Sequence, residues 1–161
     1  MNWLSVDQAT RKSGISYWKD NTFIKVDSIN KNDPDFGKRL NQIRDHIRNE
    51  IIKTQAELVL IEGIQLESIE DQSKDISVET FKKLAMLQGV LISLFTELGV
   101  SYEIVPPPVW KSKVGIFHNK RKEQKKEAIR IVKERFGIEV KEDEAESILI
   151  GASRLEEETA W

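Results

Sequence analysis

The spacing of apolar residues changes along this chain, and that change restricts the fold more than any other feature. Three short runs near the N-terminus, residues 2–7, 13–19 and 21–29, alternate loosely between apolar and polar residues and are separated by turn-forming residues. From residue 36 to residue 51 the apolar residues instead recur every three or four positions, as on one face of a helix. This order predicts an antiparallel three-stranded meander followed by a helix.

The remainder of the chain alternates between predicted strands and helices. A continuous apolar run at residues 58–61 is typical of a strand covered on both faces, and it ends at Glu62. A long apolar helix at 78–99, a strand at 101–105 stopped by three prolines, and two further helices follow. We therefore expect an α/β fold in which helices flank a mixed five-stranded sheet of three antiparallel and then two parallel strands. With no repeat or linker in the sequence, we expect residues 1–161 to form one domain.

Composition excludes several classes of protein. The chain has no cysteine, which excludes disulfide frameworks and cysteine-based zinc sites and favours a reducing compartment. The N-terminal residues lack the basic-then-apolar pattern of a signal peptide, and no apolar run reaches the length of a membrane span. We expect a cytoplasmic protein that does not enter a membrane.

Charge is distributed unevenly, although the formal net charge is only −2. Residues 111–135 carry ten lysines and arginines against three glutamates, and residues 139–158 carry eight acids. Two interpretations remain open: two solvated helix faces that pair with each other, or a basic surface for nucleic acid. Trp110, beside the first of these lysines, is a candidate for stacking on a base.

Four acids occupy positions that the predicted fold would bring together. Asp7 and Glu62 each end a strand, and the carboxyl ends of adjacent parallel strands meet at one edge of a sheet. Asp143 and Glu146 lie three residues apart at the start of the last predicted helix and so share a face. Taken singly, each acid has an ordinary role as a turn residue or a helix cap.

A cluster of four carboxylates needs cations to offset its repulsion. Ligands that offer only oxygen atoms select hard ions such as Mg²⁺ or Mn²⁺. A pair of such ions about 4 Å apart is the arrangement used for phosphodiester cleavage. The acids therefore predict a magnesium site with hydrolytic chemistry.

The order of the acids and the segments around them resembles the RuvC-like Holliday-junction resolvases of the ribonuclease H-like superfamily. The first two acids lie in "LSVDQATRKSG" and "LVLIEG", which look like the first and second motifs of that family. The segments "KKLAMLQGV" and "DEAESILIG" are similar to its dimer helix and its closing acidic helix. The basic segment "WKSKVGIFHNKRKEQKKEAIRIV" resembles the part of the family that faces DNA.

The resemblance implies an endonuclease that binds four-way DNA junctions as a homodimer and nicks two strands symmetrically with Mg²⁺, for which Mn²⁺ substitutes. It implies that Asp7, Glu62, Asp143 and Glu146 are the metal ligands and are catalytic. Lys111 and Lys122 match lysines near the scissile phosphate, and Lys122 joins the catalytic set. The residues expected to bind DNA are Lys111, Lys113, Lys120, Arg121, Lys122 and Lys125.

Three features depart from the cellular members of the family, and bacteriophage members look more like this chain. The fourth acid is Glu146 rather than aspartate, Asp143 is flanked by Glu142 and Glu144, and Gln65 stands where cellular enzymes carry an aromatic wedge. Substrate choice on branched DNA is then expected to be broader. Two alternatives stay open: a non-catalytic binder of branched DNA on the same scaffold, and an enzyme acting on RNA–DNA hybrids.

Overall fold

The computed structural model describes residues 1–65 and 78–159, with side chains up to residue 156. These residues form one five-stranded sheet with helices on both faces. The strands are β1 Asn2–Asp7, β2 Lys12–Lys19, β3 Thr22–Asn30, β4 Leu58–Glu62 and β5 Ser101–Val105. The helices are α1 Phe36–Thr54, α2 Val78–Leu98, α3 Pro107–Val114, α4 Arg121–Phe136 and α5 Glu142–Thr159.

The sheet has the strand directions that the sequence predicts. Its order is β3-β2-β1-β4-β5. Strands β1, β2 and β3 pair antiparallel, whereas β4 runs parallel to both β1 and β5. Three antiparallel strands followed by two parallel ones are therefore confirmed. In the described part of the chain, none of the helices is both long and apolar enough to cross a bilayer.

Two predictions about the helices are wrong. The sequence predicts a basic connector, and no helix, directly after the three prolines that stop the strand. That segment instead forms α3, because Pro106 caps the helix and the following prolines fill its first turn. Proline suits these positions, since the first backbone N–H groups of a helix have no partner within it. The sequence favours Asp33, followed by Pro34, as the cap of α1. The cap is instead Asp35, whose side chain accepts a hydrogen bond from the Lys38 backbone N–H at 2.9 Å.

The alternation of side chains along each strand divides the core into two layers. On one face of the sheet, Trp3 of β1 and Leu60 of β4 belong to the apolar cluster that includes α3, α4 and α5. On the other face, Leu4 and Val59 belong to the cluster with α1 and α2. The odd-numbered residues of β1 and the even-numbered residues of β4 consequently face α5.

A buried polar network fixes the first turns of α5 to the sheet. The hydroxyls of Ser5 and Ser16 both donate to the carbonyl oxygen of Ser147, at 2.6 and 3.0 Å, and contact each other. The indole N–H of Trp18 lies 3.0 and 3.1 Å from the same two hydroxyls. Because an unpaired polar group in this layer would carry a full desolvation penalty, the network favours one position of α5 along the strands.

Close backbone approach also sets where α5 begins. A Cβ atom on Gly14 of β2 would overlap the backbone carbonyl of Asp143. Likewise, a Cβ atom on Gly151 of α5 would overlap the indole of Trp18. The two glycines thus permit α5 to lie closer to the sheet than any larger residue would allow.

We expect Gly14→Ala to lower the free energy of unfolding by about 1–3 kcal/mol, since the added methyl group must displace the start of α5. Denaturant unfolding followed by circular dichroism measures the change. Gly37→Ala is the matched control, because its Cβ atom would make only an ordinary contact with Asp35 at 3.4 Å. Equal stability of Gly14→Ala and the native chain would contradict this account of the packing.

Candidate functional site

Three carboxylates meet at the edge of the sheet where β1 and β4 end. Asp7 and Glu62 are the last residues of these strands, and both follow the alternation that faces α5. Glu146, in the second turn of α5, approaches them from above the sheet. One carboxylate oxygen from each of the three lies within 4.8 Å of the others. Oxygen ligands at this spacing can hold a hard divalent cation.

Burial and mutual repulsion disfavour the charged forms of these carboxylates. Burial, followed by the neighbouring carboxylates of Glu146 and Glu62, raises the pKa of Asp7 well above its ordinary value. Burial, followed by the charge of Glu146, raises the pKa of Glu62 to about 7. A hydrogen bond from Trp110, followed by the cations of Lys111 and Arg121, opposes that rise in pKa without cancelling it. A cation bound between the three carboxylates would stabilise their charged forms and lower these pKa values.

Asp143 lies beside the cluster rather than within it. Ser28 donates a hydrogen bond to its carboxylate at 3.1 Å, and the Lys12 ammonium lies 3.8 Å from the other carboxylate oxygen. Its charge still contributes to the raised pKa of Asp7. Of the four acids expected to meet, three share the cluster and Asp143 lines the same cavity, held by β2 and β3.

Trp110 orients one carboxylate of the cluster. Its side chain is 0% exposed, so it does not stack on a base, as the sequence suggested it could. Its indole N–H donates to Glu62 Oε2 at 2.7 Å. A tryptophan with an apolar body and one donor suits this position, beside the half-buried carboxylate of Glu62. The three prolines before it predict only the end of a strand, so no clear signal of this role is present in the sequence.

A second hydrogen-bonded side chain, Gln8, joins the end of β1 to α2. Its amide donates to the backbone carbonyl of Glu62 at 3.0 Å and to the side chain of Gln88 at 3.1 Å. Sequence reasoning missed Gln8, because a glutamine after a strand is uninformative until its neighbours are known. The contact links the site to the helix expected to form a subunit interface.

The acids lie in a groove of about 1350 Å³ that also has a basic rim. Five of the six residues predicted to bind DNA line this groove, whereas Lys113, half-buried on α3, does not. The five are Lys111, Lys120, Arg121, Lys122 and Lys125. Gln65 also lines the groove and is exposed.

One hydrogen-bonded chain orders the rim. Lys111 donates to the Gln124 side chain at 2.9 Å, and the amide of Gln124 donates to the His118 carbonyl at 2.6 Å. Gln124 of α4 therefore holds both Lys111 of α3 and the loop between the two helices. His118 is half-exposed and faces Glu127 at 3.9 Å.

Three further residues of the basic block, Arg130, Lys133 and Arg135, form ion pairs away from the groove. Arg130 pairs with Glu127 and Glu134 on its own helix, where the spacing of three and four residues favours contact. Lys133 pairs with Glu139 at 2.9 Å. The first interpretation, pairing between helix faces, therefore applies to these residues. The five basic residues at the groove stay candidates for binding nucleic acid, although Lys125 among them also pairs with Glu142 at 3.1 Å.

Comparisons with known proteins identify the fold. No protein-family model matches the chain, and no curated protein matches its sequence. Thermus thermophilus RuvC in complex with a Holliday junction substrate matches with a TM-score of 0.77 and 13% identity, over 99% of this chain and 95% of that chain. The Fowlpox virus resolvase in complex with Holliday junction DNA matches with a TM-score of 0.66 and 14% identity, over 100% of both chains.

A third similar structure is the yeast mitochondrial Holliday junction resolvase Ydc2. It matches with a TM-score of 0.60 and 14% identity, over 96% of this chain and 77% of that chain. Since sequence identity is low in all three comparisons, the likeness concerns the backbone. The chain has the ribonuclease H-like fold of the RuvC-like Holliday-junction resolvases.

Proposed function

We propose that this protein is a divalent-metal-dependent endonuclease that cleaves four-way DNA junctions and other branched DNA by paired nicks. The observation that carries the proposal is the meeting of Asp7, Glu62 and Glu146 within 4.8 Å in a groove with a basic rim. The fold supports it, because the similar structures include resolvases in complex with Holliday junction DNA. The absence of cysteine supports activity in a reducing compartment such as the cytoplasm.

The residues present fit the proposed Mg²⁺, for which Mn²⁺ would substitute. Asp7, Glu62 and Glu146 would hold it, since they offer three oxygen atoms, and burial together with repulsion from Glu146 and Glu62 raises the pKa of Asp7. Asp143 would complete the set from the same groove. When bound, divalent cations at such a site activate the attacking water and stabilise the leaving oxygen of the phosphodiester.

The basic residues of the rim would hold the DNA backbone. Lys111, Lys120, Arg121 and Lys125 present cations at the groove that contains the acids, and such contacts supply affinity without reading sequence. We assign Lys122 the further role of offsetting negative charge on the phosphoryl group during cleavage. Lys113, which does not line the groove, stays outside this assignment.

The proposed assembly is a homodimer through α2. Met86 on this helix is 54% exposed, and a Cβ atom on Gly89 would meet no other atom within 4 Å. A shallow groove between α1 and α2 contains both residues together with Val90. An apolar helix face of this kind is suited to a second copy, and a two-fold dimer would present two equivalent sites to the two strands that are nicked.

One observation favours the alternative of a non-catalytic binder of branched DNA. Asp143 is engaged by Ser28 and Lys12 instead of joining the other three acids. The two functions differ in whether any divalent cation yields a product. Incubation of the protein with labelled four-way junctions in Mg²⁺ and in Mn²⁺ separates them.

We expect Asp7→Asn to lower the rate of junction cleavage by at least about 10³-fold, because several kcal/mol of transition-state stabilisation depend on the cation. Binding to the junction should change little, since the basic rim is intact. Gel assays of cleavage and binding measure both. Glu57→Gln is the matched control, because Glu57 is exposed and precedes β4 at the end of the strand opposite to Glu62. Full cleavage by Asp7→Asn would contradict the proposed site.

Trp110→Phe should lower the affinity for Mn²⁺ about 10- to 100-fold, because the carboxylate of Glu62 loses the donor that orients it. Isothermal titration calorimetry measures the change. The control is Trp3→Phe, which removes an indole N–H donor to the carbonyl of Asp20 in the same core layer. Equal Mn²⁺ affinity in both variants would show that the hydrogen bond of Trp110 does not support the site.

Met86→Glu should convert the dimer to a monomer, since it places a charge at the centre of the proposed apolar interface. Light scattering coupled to size-exclusion chromatography measures the molecular mass. Ile24→Glu, at an equally exposed position on β3, should leave the dimer intact. A dimer that survives Met86→Glu would contradict an interface through this face of α2.

A further inference from the structure

Phe117 lies in the loop between α3 and α4, and its side chain is 75% exposed. This is the highest exposed fraction among the large apolar side chains in the part of the chain that the structure describes. Single exposed apolar residues are common on protein surfaces, so exposure alone does not assign this ring a role. Its position on the groove that contains the three acids makes it a candidate for contact with the ligand of that groove.

The backbone on both sides of Phe117 is fixed. The preceding residue, Ile116, is 4% exposed, and its N–H donates to the carbonyl of Lys111 at 2.8 Å. The carbonyl of the following residue, His118, accepts the hydrogen bond from Gln124. The ring therefore projects from a loop anchored at both neighbours, and its exposure follows from the packing rather than from a loose segment.

The surroundings of the ring are cationic. Phe117 lines the same groove as the three acids, and Lys120, Arg121 and Lys122 follow it within five residues. An exposed apolar ring among cations matches a ligand that is anionic on one side and flat and apolar on another. A nucleic-acid strand has this combination, since its phosphates pair with the lysines and its bases present π-faces to an aromatic ring.

We propose that Phe117 stacks on an unpaired or unstacked DNA base at the branch point and thereby favours branched over fully paired DNA. This inference rests on the proposed function and adds the residue that selects the substrate. In a continuous duplex each base is covered by its neighbours, so a ring from the protein reaches a base only where the stack is interrupted or opened. Branch points and forks supply such bases. Contacts with phosphates alone would not distinguish branched DNA from a continuous duplex.

The test compares binding of a four-way junction and of a duplex of the same length by native protein and Phe117→Ala, in EDTA to prevent cleavage. We expect Phe117→Ala to weaken junction binding on the order of tenfold and to leave duplex binding unchanged. Phe117→Trp should retain junction binding, because it keeps a flat ring. Ile52→Ala, another exposed apolar residue on the opposite face of the sheet, is the matched control.

A junction carrying 2-aminopurine at the branch point reports directly on base stacking, because the fluorescence of this base depends on whether it is stacked. Native protein and Phe117→Trp should change its fluorescence, whereas Phe117→Ala should not. Unchanged junction binding by Phe117→Ala, or an equal loss on junction and duplex, would overturn the inference while the nuclease proposal stands. Native protein that binds no branched DNA would overturn both.

Discussion

Repulsion among three carboxylates is the constraint around which this molecule is organised. Unit charges no more than 4.8 Å apart repel by at least about 3.5 kcal/mol in an environment with an effective dielectric constant of about 20. The chain nevertheless brings Asp7, Glu62 and Glu146 together from two parallel strands and a helix. Other parts of the fold oppose that repulsion: the serine network and Gly14 fix α5 against the sheet, and Trp110 donates a hydrogen bond to Glu62. A bound divalent cation is the remaining element that would balance the charge.

The strand order and the meeting of Asp7, Glu62 and Glu146 were predictable, because both follow from local rules. Alternation along β1 and β4 determines the face on which Asp7 and Glu62 lie, and parallel pairing puts both strand ends at one edge. The position of Asp143 was not predictable, since it depends on Ser28 and Lys12 from strands whose register no local pattern gives.

The role of Trp110 was missed for a related reason. The prolines before it are ambiguous, because they stop a strand and also start a helix, and only the packed α3 turns this indole towards Glu62. The ion pairs of the basic block also depend on the folded structure. Sequence gives its charge, whereas the opposing acids that neutralise Arg130 and Lys133 are apparent only once the helices are formed. Five other basic residues line the groove, and one of them, Lys125, also pairs with Glu142.

Thermal unfolding of the native chain and of Asp7→Asn at pH 8, in EDTA and in Mg²⁺, measures whether the clustered carboxylates need a cation. Without metal, Asp7→Asn should unfold at the higher temperature, because it removes one of the repelling charges. In Mg²⁺ the order should reverse, since the native site binds the ion more tightly and binding stabilises the folded state. A native chain that is the more stable of the two in EDTA and gains nothing from Mg²⁺ would contradict the account.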